Sequence, residues 1–168
     1  MQLIFPTMEH KQAALDYFQE HYNNNEMHIN GSSGYSRDEN YETWLERITL
    51  AQTTVPPGWV PGSTYFGIVD GEIVGTIAIR HCLNDSLINS GGHIGYGVRP
   101  TQRRKGYASK MLALALQKCP GFGIEKALVT CDKGNIGSAK TIMKNGGVFE
   151  NEFTEESGNV VERYWILL

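Results

Sequence analysis

The run from Tyr65 to Cys82 constrains the fold more than any other segment. Tyr65–Val69 and Ile73–Cys82 are rich in β-branched and aromatic residues, and Asp70-Gly71 lies between them. A two-residue type I′ hairpin loop needs positive φ at both central positions, and Asp-Gly is among the pairs that supply it. The middle of the chain is therefore expected to form an antiparallel hairpin. Ahead of it, Pro56-Pro57-Gly58 and Pro61-Gly62 exclude regular structure for several residues.

The flanks of the hairpin differ in period. Met1–Phe5 reads as a short strand ended by Pro6. From Met8 to Tyr22, Ala14, Leu15 and Phe18 recur at helical spacing. Asn23–Asn25 and Gly31-Ser32-Ser33-Gly34 mark a loop. A second helix is predicted to start near Ser36 or Asp38, with Tyr41, Trp44, Leu45 and Ile48 on one side. After the hairpin, Asn84–Gly92 is polar and turn-like, and His93–Val98 reads as a strand stopped by Pro100. Ala108, Met111, Leu112, Ala115, Leu116 and Cys119 then form a helical stripe ended by Pro120-Gly121. Ala127–Cys131 is a strand. Asn135–Asn145 is a helix predicted to turn Ile136, Ala139, Ile142 and Met143 inward, ended by Gly146-Gly147. Val148–Phe153 and Val160–Leu167 are the last two strands. Hairpins followed by a βαβ unit give an α+β fold with a mixed, mostly antiparallel sheet of about seven strands flanked by about four helices. No internal repeat divides the chain, so residues 1–168 are expected to form one domain.

Composition narrows the function. The net charge is −3, which gives nucleic acid and anionic membranes no global attraction. No apolar run approaches the roughly 20 residues of a bilayer span. The N-terminus lacks a basic region followed by an apolar run, so no signal peptide is expected. The three cysteines, Cys82, Cys119 and Cys131, have no metal-like spacing. These features predict a reduced, cytoplasmic protein without a metal site.

Against this background the segment Val98–Ser109, VRPTQRRKGYAS, stands out. A strand ends at Val98, Pro100 breaks it, and Arg103-Arg104-Lys105 lead through Gly106 into an amphipathic helix. A helix N-terminus exposes unpaired N–H groups and the positive end of its dipole. Gly106 lets the backbone approach an anion, Ala108 keeps the first turn small, and the cations add attraction. Together these suit a phosphate or pyrophosphate. The Gly-Lys-Ser/Thr ending of nucleotide hydrolases is missing. Gly95 and Gly97 precede the break, so the dinucleotide GxGxxG pattern is absent as well.

Val98, Pro100, Arg103, Gly106 and Ala108 resemble the Arg/Gln-x-x-Gly-x-Gly/Ala signature of the GNAT superfamily of N-acetyltransferases. Asn135, after the strand Ala127–Cys131, resembles that superfamily's helix-head residue. GGHIGYGVRP, VTCDKGNIGSAKTIMKNGG, VPPGWVPGSTYF and the terminal ERYWILL are similar to a bacterial branch of predicted acetyltransferases. The resemblance implies acetyl-CoA as donor and an amine as acceptor, with direct attack in a ternary complex. The pantetheine arm would enter between His93–Val98 and Ala127–Cys131. Gly97 and Val98 would meet the arm, on a strand bulged at Gly95 and Gly97. The pyrophosphate would rest on the amides of Arg104, Lys105, Gly106, Tyr107, Ala108 and Ser109, with Arg103 also in the cofactor site, and Asn135 and Ser138 would face the arm.

Direct attack needs a deprotonated amine, a polarised carbonyl and a proton for the leaving thiolate. Many relatives place a proton-donating Tyr about seven residues after the helix-head Asn, where this chain has Ile142. Tyr164, Cys131 and water are the substitutes. His93 is the first candidate base and His81 the second. Gly31–Tyr35, Tyr41, Trp44 and the Pro56–Pro61 loop fall where acceptor walls lie in the superfamily. Glu150, Glu152, Glu155 and Glu156 form an acidic turn. The departure at Ile142 leaves a second expectation open, a non-catalytic acyl-CoA-binding regulatory module. A nucleic-acid binder is disfavoured by the acidic net charge. Pairing into a homodimer is a further expectation.

Overall fold

The computed structural model describes residues 1–168. Its strands are β1 (Gln2–Ile4), β2 (Gly62–Val69), β3 (Glu72–Arg80), β4 (Ile94–Val98), β5 (Lys126–Asp132), β6 (Val148–Thr154) and β7 (Val160–Leu167). The helices are α1 (Lys11–Asn23), α2 (Tyr41–Leu50), α3 (Tyr107–Lys118) and α4 (Ile136–Lys144). One sheet runs β1-β2-β3-β4-β5-β7-β6, antiparallel throughout except between β4 and β5. Asp70 and Gly71 have φ of 50° and 81°, which is the turn geometry expected between β2 and β3.

The strands alternate their side chains between two cores. On one face Ile77, Ile79 and Ile94 pack with Met111, Leu112 and Ala115 of α3. On the other, Phe66 and Ile73 pack with Ala14, Tyr17 and Phe18 of α1 and with Trp44 and Ile48 of α2. Apolar burial on both faces is what closes a sheet of this size into layers. No helix is long and apolar enough to cross a membrane. No group of three or more His, Cys, Asp or Glu side chains is gathered to hold a metal ion.

Several boundaries differ from those predicted. α2 starts at Tyr41, because Asn40 is extended and its side chain accepts the Thr43 N–H at 2.8 Å. β2 begins earlier, at Gly62, and β3 ends at Arg80 rather than Cys82. The polar stretch before β4 holds one π-helical turn, Leu87–Gly91, which the Asn84 side chain caps through the Leu87 N–H. α4 turns only Ala139 and Ile142 toward the sheet core, while Ile136 and Met143 are exposed. Asn135 caps this nine-residue helix, and in that orientation its first residue points away from the sheet.

Candidate active site

β4 and β5 share a single parallel pairing, Ile94 with Val129, and separate beyond it. His93 closes the root of this gap. Its N–H donates to Leu128 O at 2.7 Å, and its buried ring accepts the Leu128 N–H at Nδ1, 2.9 Å. The ring therefore supplies a rung where the ladder stops.

On its other edge β4 is fully engaged. Register with β3 runs one-for-one from Gly75–Val98 to Ile79–Ile94, so the strand is not bulged as expected. Gly97 serves a different purpose. A Cβ on Gly97 would stand 2.6 Å from Asn30 O, so its absence lets the Asn30-Gly31 segment cross the strand. Thr76 fastens that segment by donating Oγ1 to Asn30 O at 3.1 Å, and it also meets the Tyr17 hydroxyl at 3.0 Å. His93 O and Arg99 N–H bond to β3, so by strand alternation the backbone groups of Tyr96 and Val98 face the gap.

The gap opens into a cleft of about 2360 Å³ that runs from the head of α3 to the α2 side of the sheet. At the α3 end, Arg104 and Gly106 both adopt left-handed backbone, with φ of 63° and 80°. This curls the loop so that successive amides converge on one point, the geometry of an anion nest. The N–H groups of Arg104 to Ser109 have no acceptor in the protein, because the first bond of the helix is Lys110 N–H to Gly106 O. No atom lies within 4 Å of where a Gly106 Cβ would be, so the approach to these amides is open.

The expected cofactor residues divide. Gly97, Val98, Arg104, Gly106, Tyr107, Ala108, Ser109, Asn135 and Ser138 all line the cleft, as does Arg103. The Arg103 side chain, however, turns back to Glu26 Oε2 at 2.6 Å and to Val98 O at 3.1 Å. Lys105 leaves the site and donates to Gln102 Oε1. Asn135 caps α4 through Ser138 N–H at 3.1 Å, and Ser109 is tied to Asn145, which ends α4.

Glu26 gathers three side chains. It takes Arg103, the Nδ1 of buried His21 at 2.7 Å, and the Asn24 side chain. The Arg103 bond, opposed by partial burial, holds its carboxyl at about 2. Glu20 does similar work one turn earlier, accepting the Thr101 N–H and pairing with Arg99. The strand-to-helix junction is thus anchored to α1 by two acids.

Of the catalytic candidates, His93, His81 and Tyr164 sit outside the cleft wall. His93 is buried, and its Nδ1 lone pair is taken by Leu128, so the neutral ring carries its proton on Nε2. Burial and the nearby Arg80 charge lower its pKa. Tyr164 lies under α4 and donates to Glu162 Oε2 at 2.7 Å, and burial raises its pKa. His81 is stacked on Phe122 and shares a 2.9 Å hydrogen bond with Ser63. Ile142 is wholly buried in the core.

Two groups that do face the gap are Cys131 on β5 and Tyr96 on β4. Desolvation pushes the Cys131 thiol to about 11. Tyr96 escaped the sequence reading because it stands between the two glycines that drew attention. The signal was present in strand alternation, which puts it on the α4 face beside Ile94 and Val98. Its hydroxyl meets Ser138 Oγ at 2.8 Å, and burial pushes its pKa to about 12. Gly31, Ser33, Pro56 and Trp59, from the segments where acceptor walls are expected, line the same cleft. Tyr41 and Trp44 are core residues, bonded to Thr7 O and Ser32 O.

A strand gap beside an anion nest at a helix head is the arrangement expected for acetyl-CoA, and residues 3–148 match the acetyltransferase (GNAT) domain family. The chain belongs to the GNAT acetyltransferase family. GNAT acetyltransferases use acetyl-CoA as donor and transfer its acetyl group. Solved structures share the fold. A mutant spermidine N-acetyltransferase from Vibrio cholerae is 17% identical, with a TM-score of 0.65, over 99% of this chain and 95% of that one. An acetyltransferase from Salmonella typhimurium that modifies the N-terminal serine of a 50S ribosomal subunit protein is 15% identical, with a TM-score of 0.70, over 99% and 94%. A ribosomal-protein α-N-acetyltransferase solved in complex with coenzyme A is 15% identical, with a TM-score of 0.69, over 99% and 93%. No curated protein matches the sequence.

Proposed function

We propose that residues 1–168 act as one acetyltransferase domain that transfers acetyl from acetyl-CoA to a primary amine by direct attack. The observation that carries this reading is the alignment of the β4–β5 gap with the unpaired amides of Arg104 to Ser109. Those amides, with the Arg104 charge, would take the pyrophosphate. The backbone of Tyr96 and Val98 would pair with the pantetheine as a strand does, placing the thioester near the root of the gap. Arg103 shapes the cradle by fixing Val98 O to Glu26 rather than by touching phosphate.

Direct attack forms a C–N bond and breaks the C–S bond; the proton the amine loses passes to water, and the departing thiolate takes one from water to give the free thiol. A thiolate whose conjugate acid has a pKa near ~8.5 departs readily, so a hydrogen bond to the sulfur serves where full protonation is not required. Tyr96, neutral at working pH and on the wall of the gap, fits that task better than Tyr164, whose hydroxyl is spent on Glu162. His93 is read as the clasp at the root of the gap rather than as the base. An α-amino group, with a pKa of about 8, is partly neutral at physiological pH and needs no strong base.

A cytoplasmic setting fits the three free thiols. Pairing of two copies would use the outer edge of β6, where Val148 and Phe149 are exposed. The test is acetyl-CoA turnover against a panel of amines, followed by release of free thiol. Amine-dependent release is expected; tight acetyl-CoA binding with no release for any amine would point to a regulatory acyl-CoA-binding module instead.

A further inference from the structure

We infer that Arg80 is an anion receptor in the acceptor half of the cleft, and that the amine this protein acetylates carries a carboxylate. The inference rests on the acetyl-transfer reading above. Arg80 is the last residue of β3 and lines the cleft on the α2 side, with Thr64 and Ala78. Its own N–H bonds His93 O, so it stands beside the root of the β4–β5 gap, where the thioester would end. The acceptor must reach that point from this half of the cleft.

The guanidinium is half-satisfied. Nη1 donates to Gly91 O at 3.0 Å and Gly92 O at 3.1 Å, the carbonyls that end the π-helical turn. Nε and Nη2 have no acceptor in the protein, and neither is sealed from solvent. A guanidinium offers five N–H donors in a planar fork matched to a carboxylate, so the edge left open is suited to bidentate recognition.

Its charge is unmatched as well. Of the other guanidinium groups in the cleft wall, Arg47 is neutralised by Glu39 and Arg103 by Glu26, and Arg104 stands at the α3 end beside the anion nest. No carboxylate is within reach of Arg80, and desolvation alone lowers its pKa. A partly buried cation without a counter-ion is costly, and a bound anion removes that cost. The two carbonyls pin the fork in place, so little side-chain freedom is lost on binding. Asp38 and Glu46, exposed side chains of the same cleft, would draw the amine end of such an acceptor. An unmatched cation together with exposed acids in one cleft describes an amphoteric acceptor better than a polycation.

The carboxylate can belong to a free amino acid or to the acidic N-terminal residue of a peptide, and matched pairs separate these sources. One arm compares amino acids with their decarboxylated amines. The other compares peptides beginning with Glu and with Gln. In at least one arm the carboxylate is expected to raise kcat/KM by about 100-fold, as expected when a site's buried polar groups lose their partner. In Arg80→Met that preference should fall to about threefold or less, while acetyl-CoA still binds. Should Arg80→Met fail to fold for loss of the π-turn contacts, Arg80→Lys keeps the charge without the fork and should lose about tenfold of the preference. Thiol release that is indifferent to the carboxylate in both arms, or a preference unchanged in the variants, overturns the inference while leaving acetyl transfer standing. Absence of release with any amine overturns both.

Discussion

Glu26→Gln is the most informative single change away from the reacting atoms. It keeps the shape of the side chain and removes a charge shared by Arg103 and His21. The carboxyl is held at about 2 against an ordinary 4.5. That difference is worth ~3 kcal/mol at about 1.4 kcal/mol per pKa unit, and water reaching a side chain 28% exposed trims the expectation to about 2 kcal/mol. The folded-state pKa is depressed, so the stabilisation is fully present above about 4.5 and is lost as pH falls toward 2. His21 acts in the same direction at higher pH. Burial lowers its pKa, opposed by Glu26, so acidification through the ordinary His range of about 6.5 favours the unfolded chain. Urea unfolding of both proteins, followed by tryptophan fluorescence, should show a loss of about 2 kcal/mol at pH 7 that shrinks toward zero near pH 2.5. A loss under ~0.5 kcal/mol at pH 7, or one independent of pH, would refute the coupling of Arg103 to Glu26.

Other changes separate the roles of the site residues. Gly106→Val should weaken acetyl-CoA binding at least about tenfold by calorimetry, because its side chain fills the open approach to the nest. Its left-handed backbone adds ~1–2 kcal/mol of strain, small enough for the fold to survive. His93→Ala should cost about 1–3 kcal/mol of stability by orphaning the Leu128 N–H, while the inflections of the pH–rate profile stay in place; a lost acidic limb would restore His93 as the base. Tyr96→Phe should lower kcat by about 10- to 100-fold with little change in KM for acetyl-CoA, and an unchanged kcat would remove Tyr96 from the reaction.

What was legible in the sequence was local chemistry. Asp70-Gly71 specified its own turn, and Pro100 through Ala108 specified a strand end, a nest and a helix head within a dozen residues. The features that escaped depend on contacts between distant parts of the chain. Arg103 reads as a phosphate ligand until Glu26, 77 residues away, is placed against it. His93 reads as a base until Leu128 occupies its lone pair. Gly97 looks like a bulge signal, yet it makes room for Asn30, and no pattern around Gly97 foretells that crossing. Ile136 and Met143 were misplaced because a nine-residue helix has too few turns for its apolar period to outweigh its cap.

The central claim is that acetyl-CoA lies across the β4–β5 gap with its pyrophosphate on the head of α3. A crystal structure with acetyl-CoA tests it directly. The account predicts the pyrophosphate on the amides of Arg104 to Ser109, the pantetheine paired with the backbone of Tyr96 and Val98, and Arg103 still bonded to Glu26. A pyrophosphate held by the Arg103 and Lys105 side chains away from those amides, or a pantetheine outside the gap, would contradict it.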